Sequence, residues 1–171
     1  MPGDRLGNLL GVVALAVTDR VREATEQACR AGGGAAAVLV HLQAHPDDTV
    51  ADLAATVGVG GSGGVRLVDR LVDQGLLHRI AGASGRTIAV RLTDEGLHTA
   101  DRVLAARREA IRSVLPALGP VEQDQLEALL SALTSSVSGK GATVHRACRL
   151  CDRAACRQSP GCPLDQPDRT A

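Results

Sequence analysis

Four of the five cysteines fall within fifteen residues: Cys148, Cys151, Cys156 and Cys162. Two, four and five residues separate them, and Pro163 follows the last. Four thiolates satisfy a tetrahedral zinc ion, and the Cys148–Cys151 pair has zinc-knuckle spacing. An iron–sulfur cluster also takes four cysteines, often with a proline after the last, but bacterial ferredoxin spacing is tighter than this. The expected cofactor is therefore Zn2+, with an iron–sulfur cluster as the alternative and redox-active or structural thiols as a third reading. Arg146, Arg149, Arg153 and Arg157 interleave with the cysteines. Positive charge there lowers thiol pKa and offsets the charge of a four-thiolate centre. Stable disulfides are disfavoured in a cytosolic chain. The cysteine segment is too small to hold a core of its own, and a metal would supply the missing folding energy.

The other chemistry-bearing residues carry weaker signals. Cys29 stands alone at the end of a helical stripe and reads as a packed small residue. His41 and His45 share a helix face, which is ligand-compatible, but such a pair is more often incidental than metal-binding. His145 is close to Cys148 and is a candidate replacement for one thiolate. His78 and His98 carry no signal. No nucleophile elbow, Walker loop or paired-carboxylate motif is present. The glycines from Gly58 to Gly64 contain a GxG pattern, but it follows a helix and no strand precedes it. An enzyme is not expected.

A second concentration of charge is basic. Net charge is zero, from 19 basic and 19 acidic residues, so only a local patch can recruit a polyanion. Between Ser62 and Arg91 there are five arginines (66, 70, 79, 86 and 91) against Asp69 and Asp73, with no Glu. A local excess of that kind is what phosphate contact requires. The chain contains no Phe, Tyr or Trp. Stacking of single-stranded bases and aromatic cages for cationic ligands are thereby excluded.

The elements that must position these residues follow from periodicity. Apolar residues at Leu6, Leu9, Leu10, Val13, Val17, Val21, Ala24 and Ala28 form one helical stripe, ended by Gly32 to Gly34. A second helix spans Ala35 to Ala44, before His45-Pro46. Thr49 caps a short helix from Val50 to Thr56, with Asp52 in its first turn. A longer helix runs from about Gly61 to Gln74, closed by Gly75. A hairpin follows, with arms Leu77 to Ala81 and Thr87 to Leu92, in which Ile88, Val90 and Leu92 alternate. Thr93 caps the next helix, whose stripe is Leu97, Ala100, Leu104, Ile111 and Leu115. The last long helix runs from Pro120 to about Val137. No apolar run is long enough for a membrane span, and no signal peptide is legible, so a cytoplasmic location is expected.

Short helix, glycine turn, longer helix and two-stranded wing is the order of a winged helix-turn-helix, whose second helix enters the major groove. Val65-Arg66-Leu67-Val68-Asp69-Arg70-Leu71, followed by Gly75-Leu76-Leu77, resembles the recognition helix and exit of the MarR family of bacterial regulators. Arg86-Thr87-Ile88-Ala89-Val90-Arg91-Leu92-Thr93, then Gly96, is similar to that family's wing and the start of its next helix. The resemblance covers roughly residues 35–137. It implies a mainly α fold with a small antiparallel β-wing and long N- and C-terminal dimerisation helices.

It also implies a homodimer that binds double-stranded DNA to regulate transcription, as a repressor acting by occlusion, with a small-molecule or redox effector. By that resemblance Ser62 and Arg66 face the groove or its phosphates, and Arg86 is the wing-tip arginine. Arg70 either joins them or is held by the adjacent Asp69 in an ion pair. Two departures stand out. Gly60, Gly61, Gly63 and Gly64 strip side chains from the start of the reading helix, which shifts recognition toward backbone contact and DNA shape. Ser84 stands where the family places an Asp before the wing arginine. The divisions are residues 1–34, a dimerisation helix; 35–96, the DNA-binding domain; 97–138, the C-terminal dimerisation helices; and 139–171, linker and cysteine tail. The alternative functions are a winged-helix protein-interaction module that has lost DNA readout, or a thiol or iron–sulfur redox protein acting through its tail.

Overall fold

A computed structural model describes residues 2–82, 87–137, 142–158 and 161–164. Helix α1, Pro2–Cys29, runs antiparallel-fashion along a long later helix and leads into the glycine turn. Helix α2, Ala35–Ala44, begins after Gly34, which adopts a positive φ of 81°. A side chain there would also press on Val57 and Leu67, so glycine serves both backbone and packing. Every residue of α2 from Ala35 to Leu42 is buried. An all-round apolar helix of this kind belongs at the centre of a domain.

Helix α3, Val50–Val57, starts at Thr49 with a reciprocal capping box: the Thr49 hydroxyl accepts from the Asp52 amide, and the Asp52 carboxylate accepts from the Thr49 amide. Gly58 ends it in the left-handed region. Helix α4, Gly61–Asp73, follows, and Gly75 turns the chain out with φ 70°. Strands β1, Leu77–Ala81, and β2, Ile88–Leu92, pair antiparallel with Leu77 opposite Leu92 and Ala81 opposite Ile88. Helix α5, Asp94–Arg112, is capped by Thr93, whose hydroxyl accepts from the Gly96 amide. A 3-10 turn at Leu115–Ala117 separates it from α6, Pro120–Val137. Two short helices complete the chain, α7, Ala142–Ala147, and α8, Arg153–Cys156.

The core contains Val38, Leu39, Leu42, Leu53, Leu67, Val68, Leu71, Val90, Leu92, Ala100 and Val103, contributed by α2, α3, α4, β2 and α5. The expected mainly α winged helix with a two-stranded wing is what forms. One detail of the wing differs from the alternation expected for its return arm. Ile88 is 56% exposed, whereas Ala89 is buried. The loop ahead of α3 accounts for Ala89: Thr49 bridges it, and the Val90 amide donates to the Asp48 carbonyl. Ile88, on the side of Val90 and Leu92, lies beyond the edge of the core.

The glycines of α4 have separate reasons. At Gly60 and Gly61 an added Cβ meets nothing within 4 Å. At Gly64 it would lie 2.5 Å from Ala54 Cβ, because α3 and α4 cross there without intervening side chains. No helix among the described residues is long and apolar enough to cross a membrane.

Substitutions in α4 should therefore have opposite signs. Gly64→Ala forces the helix pair apart and is expected to cost about 1–3 kcal/mol. Gly61→Ala, in open space with ordinary backbone, is expected to gain about 0.4–1 kcal/mol by restricting the unfolded chain. Urea unfolding of the two variants checks this, and equal effects would contradict the packing role of Gly64.

Candidate nucleic-acid interface and thiol pocket

The solvent side of α4 carries Ser62, Val65, Arg66, Arg70 and Asp73, all exposed. Leu67, Val68 and Leu71 anchor the opposite side in the core. The exposed residues recur at helical spacing, so one face is held outward by the burial of the other. Helix α3 braces α4 through the Gly64 crossing. The wing stands beside it, tied on by Arg79 of β1, which forms an ion pair with Asp69.

The local arginine excess is divided by the fold. Arg79 is spent on Asp69, so of the two readings of Arg70 the pair with Asp69 does not form. Arg70 instead donates to the Gly33 carbonyl at 3.2 Å, bracing the glycine turn between α1 and α2. Its long side chain reaches back across the domain, an option that neighbouring residues in sequence do not reveal. Arg91 makes a two-pronged pair with Asp47, with both bonds at 2.7 Å. That pair holds the carboxyl of Asp47 below the usual carboxylate range. Asp47 sits at φ 71°, so the contact also secures a strained turn ahead of α3. Among the described residues, Arg66 has no side-chain hydrogen bond or ion pair, leaving its guanidinium directed to solvent beside Ser62. Arg86 and Ser84 lie outside the described residues.

The cysteine segment packs on the same lobe. Cys148, Cys151, Cys156 and Cys162 line one cavity of about 120 Å³, together with His41, His45 and His145. Local geometry brings the thiols round. The Cys151 amide donates to the Cys148 carbonyl at 2.8 Å, closing a tight knuckle after α7. Asp152 caps α8, which ends at Cys156. Gly161, at φ 102°, turns the chain back to present Cys162. None of the four is in a disulfide. Burial, then contact with the Cys162 and Cys151 thiols, pushes the Cys156 thiol up to about 12.

The imidazoles form the cavity's other wall. His41 and His45 stack at 4.6 Å between ring centroids, and His145 lies 5.3 Å from His45. His41 is buried and hydrogen-bonds to Asp48 at 2.7 Å. Arg153 donates to the His45 ring nitrogen at 2.8 Å and to the Ala44 carbonyl. Burial foremost, and then the positive neighbours, lowers the His45 pKa. Asp48, close in sequence, is one companion of His41; the others in the cavity arrive from residues 145–162 by tertiary contact. Among the described residues, no group of three or more His, Cys, Asp and Glu is already set to hold a metal ion. Cys29 is in the core, where burial raises its thiol pKa, as suits a packed residue.

The tail is tied down at several points. Arg108 of α5 pairs with Asp152 at 3.0 Å. Leu150 packs against the core. The Ser135 hydroxyl of α6 donates to the Pro163 carbonyl. The Arg146 guanidinium lies over Gly58, so close that an added Cβ would meet it at 2.9 Å.

The sequence model described as MarR family matches residues 32–86. Among solved structures, RV1404 from Mycobacterium tuberculosis is 27% identical with a TM-score of 0.68, covering 80% of this chain and 94% of its own. A MarR family protein from Bacillus stearothermophilus is 23% identical with a TM-score of 0.71, covering 81% of this chain and 96% of its own. A mutant of MepR from Staphylococcus aureus, bound to an oligodeoxyribonucleotide, is 21% identical with a TM-score of 0.57, covering 77% of this chain and 97% of its own. No curated protein matches the sequence. Over residues 32–86 the chain thus matches the MarR family model, and its described fold is the one these solved structures share.

Proposed function

We propose that this chain is a homodimeric transcriptional regulator that binds duplex DNA through α4 and the wing and represses by occluding the site. The observation that carries the reading is the outward face of α4. Ser62 and Arg66 stand exposed on a helix whose other side is locked in the core, next to a wing fastened by Asp69 and Arg79. Rigid presentation of a helix in this way is what groove entry requires. The MepR neighbour bound to an oligodeoxyribonucleotide supports the same reading. Arg66 and the wing arginine Arg86 supply the phosphate or base contacts, while Arg70 acts from behind by bracing the glycine turn. The bare N-terminal turn of α4 lets backbone amides approach DNA closely.

Dimerisation is supported by apolar surface that one chain does not cover. Leu6 is 69% exposed on α1, accompanied by Leu9, Leu10, Val13 and Leu15. Leu129, Leu130 and Leu133 are exposed on α6. Exposed apolar residues along two long helices are the mark of an interface between copies.

A duplex selected from a random pool by the full chain provides the probe. Arg66→Ala and Arg86→Ala are each expected to weaken binding by about 1–3 kcal/mol and to flatten the salt dependence by roughly one counterion. Unchanged affinity for both variants in a mobility-shift titration would remove the assignment. Transcription from a promoter carrying the selected site should fall when the protein is added.

The dimer has its own test. Leu9→Glu combined with Leu133→Glu places charge in the apolar surface and is expected to yield a folded monomer by sedimentation. A variant that remains dimeric contradicts the use of these helices.

A further inference from the structure

We propose that the cavity between α2 and the cysteine tail is a site for a thiophilic divalent ion, zinc, held by Cys148, Cys151, Cys156 and Cys162, and that loading it clamps the tail on the helix-turn-helix. The first support is convergence. The fold gathers four of the five cysteines and three of the five histidines on one small cavity, from segments about a hundred residues apart. No disulfide joins any of the four, and Cys151, Cys156 and Cys162 line the same cavity. Thiolate and imidazole are the donors zinc prefers.

The charge around the cavity suits such a centre. A zinc ion with four thiolates carries two net negative charges, and Arg153 and Arg157 line the same wall. On binding, the four thiols release their protons to solvent as the sulfurs bond the ion. His41 and His45 already have partners in Asp48 and Arg153. They therefore belong to the wall that supports the tail, with the cysteines as the ligands.

The thiols are not yet gathered at ligand spacing in any group of three or more among the described residues. Coordination then draws the four sulfurs closer together. That closure has a direct route to the helix-turn-helix. Helix α7, which ends just before Cys148, packs on α3, and Arg146 covers Gly58 at the turn between α3 and α4. Ion loading thus stabilises the turn that orients the reading helix.

Zinc titration of anaerobically purified full-length chain against a chromophoric chelator tests the site directly. The expected result is about one zinc per chain, abolished in the Cys151→Ser/Cys162→Ser double variant. Cobalt(II) substitution should give the intense thiolate charge-transfer and tetrahedral ligand-field absorption of a four-sulfur site. Hydrogen exchange at Gly58 and Val59 should slow several-fold on zinc addition in the native chain. Arg146→Ala should keep the zinc stoichiometry and lose that slowing. Circular dichroism confirms that each variant keeps its helices. Four alkylatable thiols with no bound metal would overturn the proposal, as would iron with visible charge-transfer bands in the purified chain. Zinc binding with unchanged exchange at the turn would overturn the clamp. None of these readouts involves DNA, so their failure is distinct from failure of the duplex-binding reading.

Discussion

Helix α2 buries eight consecutive residues, from Ala35 to Leu42, and the other elements use different sides of it. Helix α5 takes one side, α3 and β2 others, and the cysteine tail covers the end that holds His41 and His45. The chain has no Phe, Tyr or Trp with which to fill such a centre. Its core is built from Leu, Val and Ala, which fill space only if backbones approach closely. That explains why Gly64 meets Ala54 at the helix-turn-helix crossing and why Gly96 sits against the Leu76 carbonyl. Close approach is the constraint from which the positions of α4 and the wing follow.

Charge is then distributed over that scaffold unevenly. Two arginines of the basic segment pair with aspartates, and a third braces a backbone carbonyl. Such exposed pairs contribute little to stability, but they set the geometry of the wing and of the loop before α3. Arg66 is left to face solvent on the reading helix. The usable cation count is therefore smaller than the formal excess, and each remaining contact carries more of any DNA affinity.

The tail adds chemistry to the same lobe. It has too little apolar surface for a core, so it borrows one, with Leu150 against the main cluster and Asp152 against Arg108. Arg146, two residues before Cys148, lies over Gly58, where the turn of the helix-turn-helix begins.

Much of the fold was legible in the chain because its signals are local. Thr49 with Asp52, the glycines at 58 and 75, the two arms of the hairpin and the stripe of α1 each depend on residues within a few positions of one another. The cysteine spacing likewise marked a candidate centre without help from tertiary structure. The partners of Arg70, Arg79 and Arg91 were not legible, since long side chains choose among groups brought close by folding. Nor could spacing show that His41 and His45 share a cavity with His145 and the four thiols. Periodicity assigns a residue to a face, while only the packing of α2 against the tail decides what that face meets.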